Sequence, residues 1–212
     1  NDSGTHFALW SPKAQQAQVL IYESGRNTPA VDTLQMSRSE RGVWRVSVPG
    51  KLYGMFYTFQ VRINGKWLYE TPGVWAKAVG VNGKRAAIID FESTNPEGWD
   101  TDKSPEIKAI NDAVIYEMHH RDFSMHPSSG IANKGKFLAL TESGTTSPYG
   151  DKTGIDHLKE LGVTHVHILP SYDYNSVDET QLPSNQYNWG YDPYNYNVPE
   201  GSYSTNPSDP SV

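Results

Sequence analysis

From His6 to about Phe91 short apolar runs alternate with turn residues, and nowhere do apolar residues recur at the period of a helix, so this stretch is restricted to an all-β fold. Val43-Trp44-Arg45-Val46-Ser47-Val48 alternates apolar and polar residues before the turn at Pro49-Gly50. Phe7-Ala8-Leu9-Trp10, leading into Ser11-Pro12, and Val19-Leu20-Ile21-Tyr22 read as further strands. Tyr57 to Ile63 and Trp67-Leu68-Tyr69 flank Asn64-Gly65, a pair that tolerates positive φ and predicts a type I′ hairpin turn. Asn82-Gly83 predicts a second tight turn, and Ala86 to Asp90 a last strand. Residues 1–92 are therefore predicted to close as an immunoglobulin-like β-sandwich. Trp10 and Trp44 alternate with apolar neighbours and read as core, whereas Trp67 and Trp75 lie near turns and read as exposed. Those two could offer a surface to sugar.

Residues 93–112 carry Pro96, Gly98, Pro105 and many polar groups, the composition of a linker. Beyond it the pattern changes. Ala113 to Met118 is a short apolar strand, and a long polar segment follows it. Ile155, Leu158 and Leu161 then recur at helical spacing, Gly162 supplies a C-cap, and Val163 to Pro170 is the next strand. A helix ending in Leu-Gly and followed at once by a β-branched strand is the signature of a parallel βαβ unit.

The net charge of −6 and the lack of basic clusters argue against nucleic acid as a partner. No apolar run approaches the roughly 18 residues of a membrane span, so no membrane partner is expected. Without cysteine there are no disulfides and no thiolate metal sites, and the compartment stays open between cytoplasm, periplasm and exterior. The start at Asn1 rather than methionine leads us to expect natural sequence upstream.

Tyr172, Tyr174, Tyr187, Trp189, Tyr191, Tyr194, Tyr196 and Tyr203 are interleaved with Asn, Asp, Ser and Pro rather than set at a core period. Sugar rings stack on such faces, although from spacing alone Trp189 and Tyr191 could equally pack a loop. Asp192 before Pro193 could form a turn or touch a ligand. His119 and His120 are adjacent and lack a Glu-x-x-His helix, so structural hydrogen bonding is expected rather than a metal. Arg121-Asp122 reads as a buried ion pair, and His165 and His167 as donors to backbone.

Ala113-Val114-Ile115-Tyr116-Glu117-Met118-His119-His120-Arg121-Asp122-Phe123-Ser124 resembles the first barrel strand and loop of type I pullulanases, in the α-amylase superfamily. Asn133 to Thr141 and Leu161 to Pro170 continue the resemblance. Its most specific element is Tyr187-Asn188-Trp189-Gly190-Tyr191-Asp192-Pro193, followed by Pro199-Glu200-Gly201-Ser202-Tyr203-Ser204. The β module resembles carbohydrate-binding module family forty-eight through Leu9-Trp10-Ser11-Pro12, Gly42-Val43-Trp44 and Tyr57-Thr58-Phe59.

The resemblance implies that residues 113–212 open a (β/α)8 TIM barrel, which needs about 250 residues to close. It implies hydrolysis of α-1,6-glucosidic bonds in pullulan and branched α-glucans, with the catalytic carboxylates outside this chain and this segment inactive alone. Tyr191 would be the aromatic platform for a sugar ring at the cleavage subsite, with Trp189, Asn188 and Asp192 as neighbouring substrate contacts. Its partners would be an α-glucan and the remainder of the barrel, present as a second chain if a loop is nicked. No cofactor or metal is expected within this chain, and calcium remains open for the full-length enzyme. A non-catalytic α-glucan-binding module is the alternative.

Overall fold

Two antiparallel sheets face each other in the N-terminal part of the computed structural model, which describes residues 4–212. The first runs in the order β1 (Thr5–Trp10), β5 (Val43–Val48), β4 (Ser37–Arg38); the second runs β3 (Asp32–Gln35), β2 (Gln16–Tyr22), β6 (Phe56–Ile63), β7 (Lys66–Trp67), with β8 (Ala86–Ala87) also on β6. Alternation decides what each strand buries. Ala17, Val19 and Ile21 point inward from β2, and Phe7 crosses from β1 to meet Tyr57 and Phe59 of β6 edge-on, at 5.2 and 6.5 Å. Met36 and Trp44 complete this core, so the predicted sandwich is present.

Trp10 is not in it. Phe7 and Leu9 take the inward positions of β1, so the period of two turns Trp10 out: it is 69% exposed, and its Nε1–H donates to the Arg41 carbonyl at 3.1 Å. Trp67 and Trp75 are exposed as expected. The turn at Asn64-Gly65 has φ of 51° and 76°, as a type I′ hairpin requires, and joins Ile63 to Lys66. A Cβ at Gly65 would meet nothing, so only the positive φ is at issue. Gly65→Ala is expected to cost about 1 kcal/mol, measured by reversible unfolding of the full-length protein.

Residues 91–112 are exposed throughout. Beyond them β9 (Ile115–Met118) pairs in parallel with β10 (His165–Ile168), in the predicted order of strand, helix, strand. A short helix α1 (Asp122–Met125) and α2 (Gly154–Glu160) lie between them. Leu158 is the buried residue of the predicted stripe, while Leu161 is exposed. The stop after α2 is a Schellman motif: Gly162 has φ 75° and donates to the Lys159 carbonyl, and Val163 donates to that of Leu158.

After β10 the chain forms an antiparallel pair, β11 (Tyr172–Tyr174) and β12 (Pro193–Pro199), with two register irregularities, within the segment expected only as an aromatic loop. Residues 175–192 form the excursion between them, and this pair packs against the β module. Asn82 exchanges backbone and side-chain hydrogen bonds with Glu179 and Asp178, and Asn195 donates to the Gly83 carbonyl at 3.0 Å. The predicted turn at Asn82-Gly83 is thus also the joint between the two parts. Among the described residues, no helix is long and apolar enough to cross a membrane.

Candidate functional site

The aromatic loop lies just past the C-terminal ends of β9 and β10, where a parallel α/β structure presents its loops. Asn188 organises it. Its backbone carbonyl accepts from His119 Nε2 at 2.8 Å, its side-chain oxygen accepts from the Gly190 N–H at 2.7 Å, and its Nδ2 donates to Asp192 Oδ1 at 2.6 Å and also to Ser176 Oγ. Ser176 Oγ in turn donates to Asp192 Oδ2 at 2.7 Å. Asn188, Asp192 and Ser176 therefore form a closed polar ring that stiffens the backbone carrying Trp189 and Tyr191.

Gly190 makes the sharp bend. Its φ is 90°, and a Cβ there would stand 1.9 Å from the Pro170 carbonyl oxygen. Gly190→Ala is expected to destabilise the full-length protein by more than about 1 kcal/mol, read as a lowered unfolding midpoint, because positive φ and backbone contact both oppose the methyl group.

The bend leaves Tyr191 68% and Trp189 61% exposed. All four residues predicted for the site thus gather in one loop, two presenting ring faces and two bound to each other. Tyr187 lies behind them, edge-on to Trp189 at 5.7 Å and against His119 at 5.0 Å, with the Arg121 guanidinium 5.6 Å from its ring.

Other side chains depart from their predicted roles. Arg121 and Asp122 pair at 2.9 Å, but Asp122 is half exposed, so the pair is not buried; Arg121 also holds Asn185. His167 reaches the Glu117 carboxylate at 3.2 Å and His165 the Thr164 hydroxyl at 2.8 Å, so both use side-chain partners where backbone was expected. His119 is hydrogen-bonded as predicted, whereas buried His120, edge-on to Phe137 and tilted against Tyr203, has no hydrogen-bond partner on either nitrogen. Burial, with His119 adding to it, holds the His120 imidazole down to about 4, so it is neutral near pH 7.

A second cluster was not legible in the sequence. Asp173, Glu179 and Glu200 bring one carboxylate oxygen each to within 4.8 Å of one another. Glu200 is fully buried, with its oxygens accepting the Tyr174 and Ser202 N–H groups at 3.0 and 2.9 Å; Glu179 accepts the Asn82 N–H at 2.8 Å. Asp173 accepts from Asn195 with one oxygen, and its Oδ1 is buried without a partner. Burial is the largest cause of their raised values, about 6 for Asp173 and about 7 for Glu179 and Glu200. Three hard carboxylate donors, one of them Asp173 with an orphaned buried oxygen, suit a divalent cation such as calcium.

Comparison with known proteins bears on both features. Residues 1–76 match the family Carbohydrate-binding module 48 (isoamylase N-terminal domain). Pullulanase from Bacillus subtilis (strain 168) is 44% identical over 211 residues, 98% of this chain and 28% of that protein. The crystal structure of apo pullulanase from Paenibacillus barengoltzii superposes with a TM-score of 0.96 at 52% identity, covering 100% of this chain and 32% of that one. This chain matches the N-terminal part of pullulanases. The pullulanase match extends past the β module to the end of the aromatic loop and the carboxylate cluster, and agrees with the resemblance carried by Tyr187 to Pro193. The chain spans about a third or less of the pullulanases it matches. The Paenibacillus pullulanase has also been crystallised with maltohexaose and α-cyclodextrin, in a structure that this chain matches at the same TM-score of 0.96.

Proposed function

We propose that this chain supplies the N-terminal part of a debranching glycoside hydrolase that cleaves α-1,6-glucosidic linkages in pullulan and branched α-glucans. The observation that carries this reading is a rigidly held loop presenting Tyr191 and Trp189 to solvent at the C-terminal ends of two parallel strands, in a chain that matches pullulanases throughout. Residues 1–92 form the carbohydrate-binding-module-like domain, 93–112 the linker, and 113–212 the first part of a (β/α)8 barrel completed by sequence outside this chain. The exposed apolar side chains of the parallel pair, Ile115, Tyr116 and Val166, are surfaces that such a completion would cover.

A retaining glycosidase places two carboxyl groups roughly 5–5.5 Å apart around an oxocarbenium-like transition state. Both come from the remainder of the barrel, and this chain contributes the wall. Tyr191 stacks on the sugar ring at the cleavage subsite, where its π face also favours developing positive charge. Trp189 offers a second face to a neighbouring glucose. Asn188 and Asp192 fix the loop through each other and offer their remaining lone pairs to sugar hydroxyls. Asp173, Glu179 and Glu200 would hold a calcium ion, whose charge would offset the buried carboxylates, and Glu179 ties the cluster to the β module through Asn82.

Pullulan digestion by the full-length protein with linkage analysis of the products tests the reading: maltotriose is the expected product, and products of α-1,4 cleavage contradict it. The β module gives a second reading a foothold, because Trp67, Tyr69 and Trp75 are exposed on it. A full-length protein that binds maltooligosaccharides and cleaves none would make the chain part of a glucan-binding protein.

A further inference from the structure

We propose that His119 is the positioning residue of the sugar-stacking loop, setting where Trp189 and Tyr191 stand by holding the Asn188 backbone. This rests on the sugar-site reading above. His119 follows the last residue of β9 and is buried. Its Nε2 lies 2.8 Å from the Asn188 carbonyl oxygen, which can only accept, so Nε2 carries the proton. Nδ1 is then the acceptor, and it faces the Asp122 backbone N–H at 3.4 Å. Both ring nitrogens thus agree on the tautomer with its proton on Nε2.

The bond falls at the crest of the loop. Asn188 stands between Tyr187 and Trp189, and both of those rings pack on the same imidazole, at 5.0 and 6.4 Å. On its other side the imidazole meets Tyr203 edge-on at 6.3 Å. The polar ring of Asn188, Ser176 and Asp192 makes the loop stiff within itself, but it contains no residue of β9. His119 supplies that link. Removing its Nε2–H leaves the loop internally ordered and its crest tied to the β9 end only through Arg121, which holds Asn185 and the Tyr187 ring at the loop's entry. Its neighbour His120, buried without a hydrogen-bond partner, makes no such connection.

The test compares His119→Gln with His119→Asn in the full-length protein. A glutamine amide extends about as far as Nε2 and can donate to the Asn188 carbonyl; an asparagine amide is equally polar and stops short. His119→Asn is expected to raise KM for pullulan about tenfold with kcat changed by less than about threefold, and His119→Gln to restore KM to within about threefold of the parent. Unfolding midpoints recorded on both separate positioning from folding, since a purely structural role lowers both variants without splitting their KM values. Equal KM for the two variants overturns the proposal. Tyr191→Ala, assayed beside them, reports separately on the sugar-site reading: if it alone is impaired, that reading stands and the role of His119 falls.

Discussion

Replacing Tyr191 by alanine in the full-length protein is expected to lower kcat/KM for pullulan by roughly 30- to 150-fold, the equivalent of about 2–3 kcal/mol of transition-state stabilisation. The magnitude follows from what the ring offers. A tyrosine 68% exposed on a loop held from both sides loses little freedom when a glucose stacks on it, so most of the contact energy survives as binding. The quadrupole of the ring adds a component that strengthens as the anomeric centre becomes cationic, so part of the loss appears in kcat. Tyr191→Phe keeps the face and is expected to stay within about threefold of the parent. Because the side chain is largely solvent-exposed, neither variant is expected to move the unfolding midpoint, and steady-state kinetics on the two proteins isolate the stacking. Unchanged kcat/KM in the alanine variant would remove Tyr191 from the site.

Chelation with EDTA is expected to lower the unfolding midpoint of the full-length protein, and to lower it more at pH 8 than at pH 5.5. Burial raises Asp173 to about 6 and Glu179 and Glu200 to about 7, and neighbouring carboxylates add to the rise of the two glutamates. In the unfolded chain such groups titrate near 4. The metal-free fold therefore retains protons that the unfolded chain has released. Stability from these groups is complete below about pH 4 and is lost as pH rises through about 6–7, by an amount of order a few kcal/mol, because three coupled acids titrate as a set rather than additively. A bound calcium ion would offset two of the three charges and flatten that decline. Differential scanning calorimetry with and without EDTA at the two pH values reads the difference, and coincident melts at pH 8 would remove the cation from this cluster.

The readable parts of the fold were those whose chemistry is local. Positive φ at Asn64 and Gly65, the Schellman stop at Gly162 and the parallel order of β9 and β10 each depend on a few adjacent residues or on one period of apolar side chains. Trp10 was misplaced for a reason that is itself local: its apolar neighbours suggested core, but Phe7 and Leu9 hold the inward parity of β1 and leave Trp10 the solvent face. The strand β12 also carries a signal, the alternation Tyr194-Asn195-Tyr196-Asn197, within a segment dense in aromatic and polar residues.

The site was legible only in part. Tyr191 and Trp189 stood out through a heptapeptide, yet nothing in their spacing shows that Asn188 and Asp192 bind each other or that Gly190 must clear the Pro170 carbonyl. The carboxylate cluster joins Asp173, Glu179 and Glu200 across an excursion of the chain, and Asn82 reaches it from the β module. Single acids in polar loops carry no mark of such convergence. His119 looked like an unremarkable structural histidine, and its importance lies in which carbonyl it meets.

A crystal structure of the full-length protein with a bound maltooligosaccharide measures the decisive contact. The expected result is a glucose ring lying flat against the Tyr191 side chain, about 4 Å from its plane and beside the catalytic carboxylates. Sugar in the catalytic cleft with Tyr191 turned away from it, or covered by protein, contradicts the assignment.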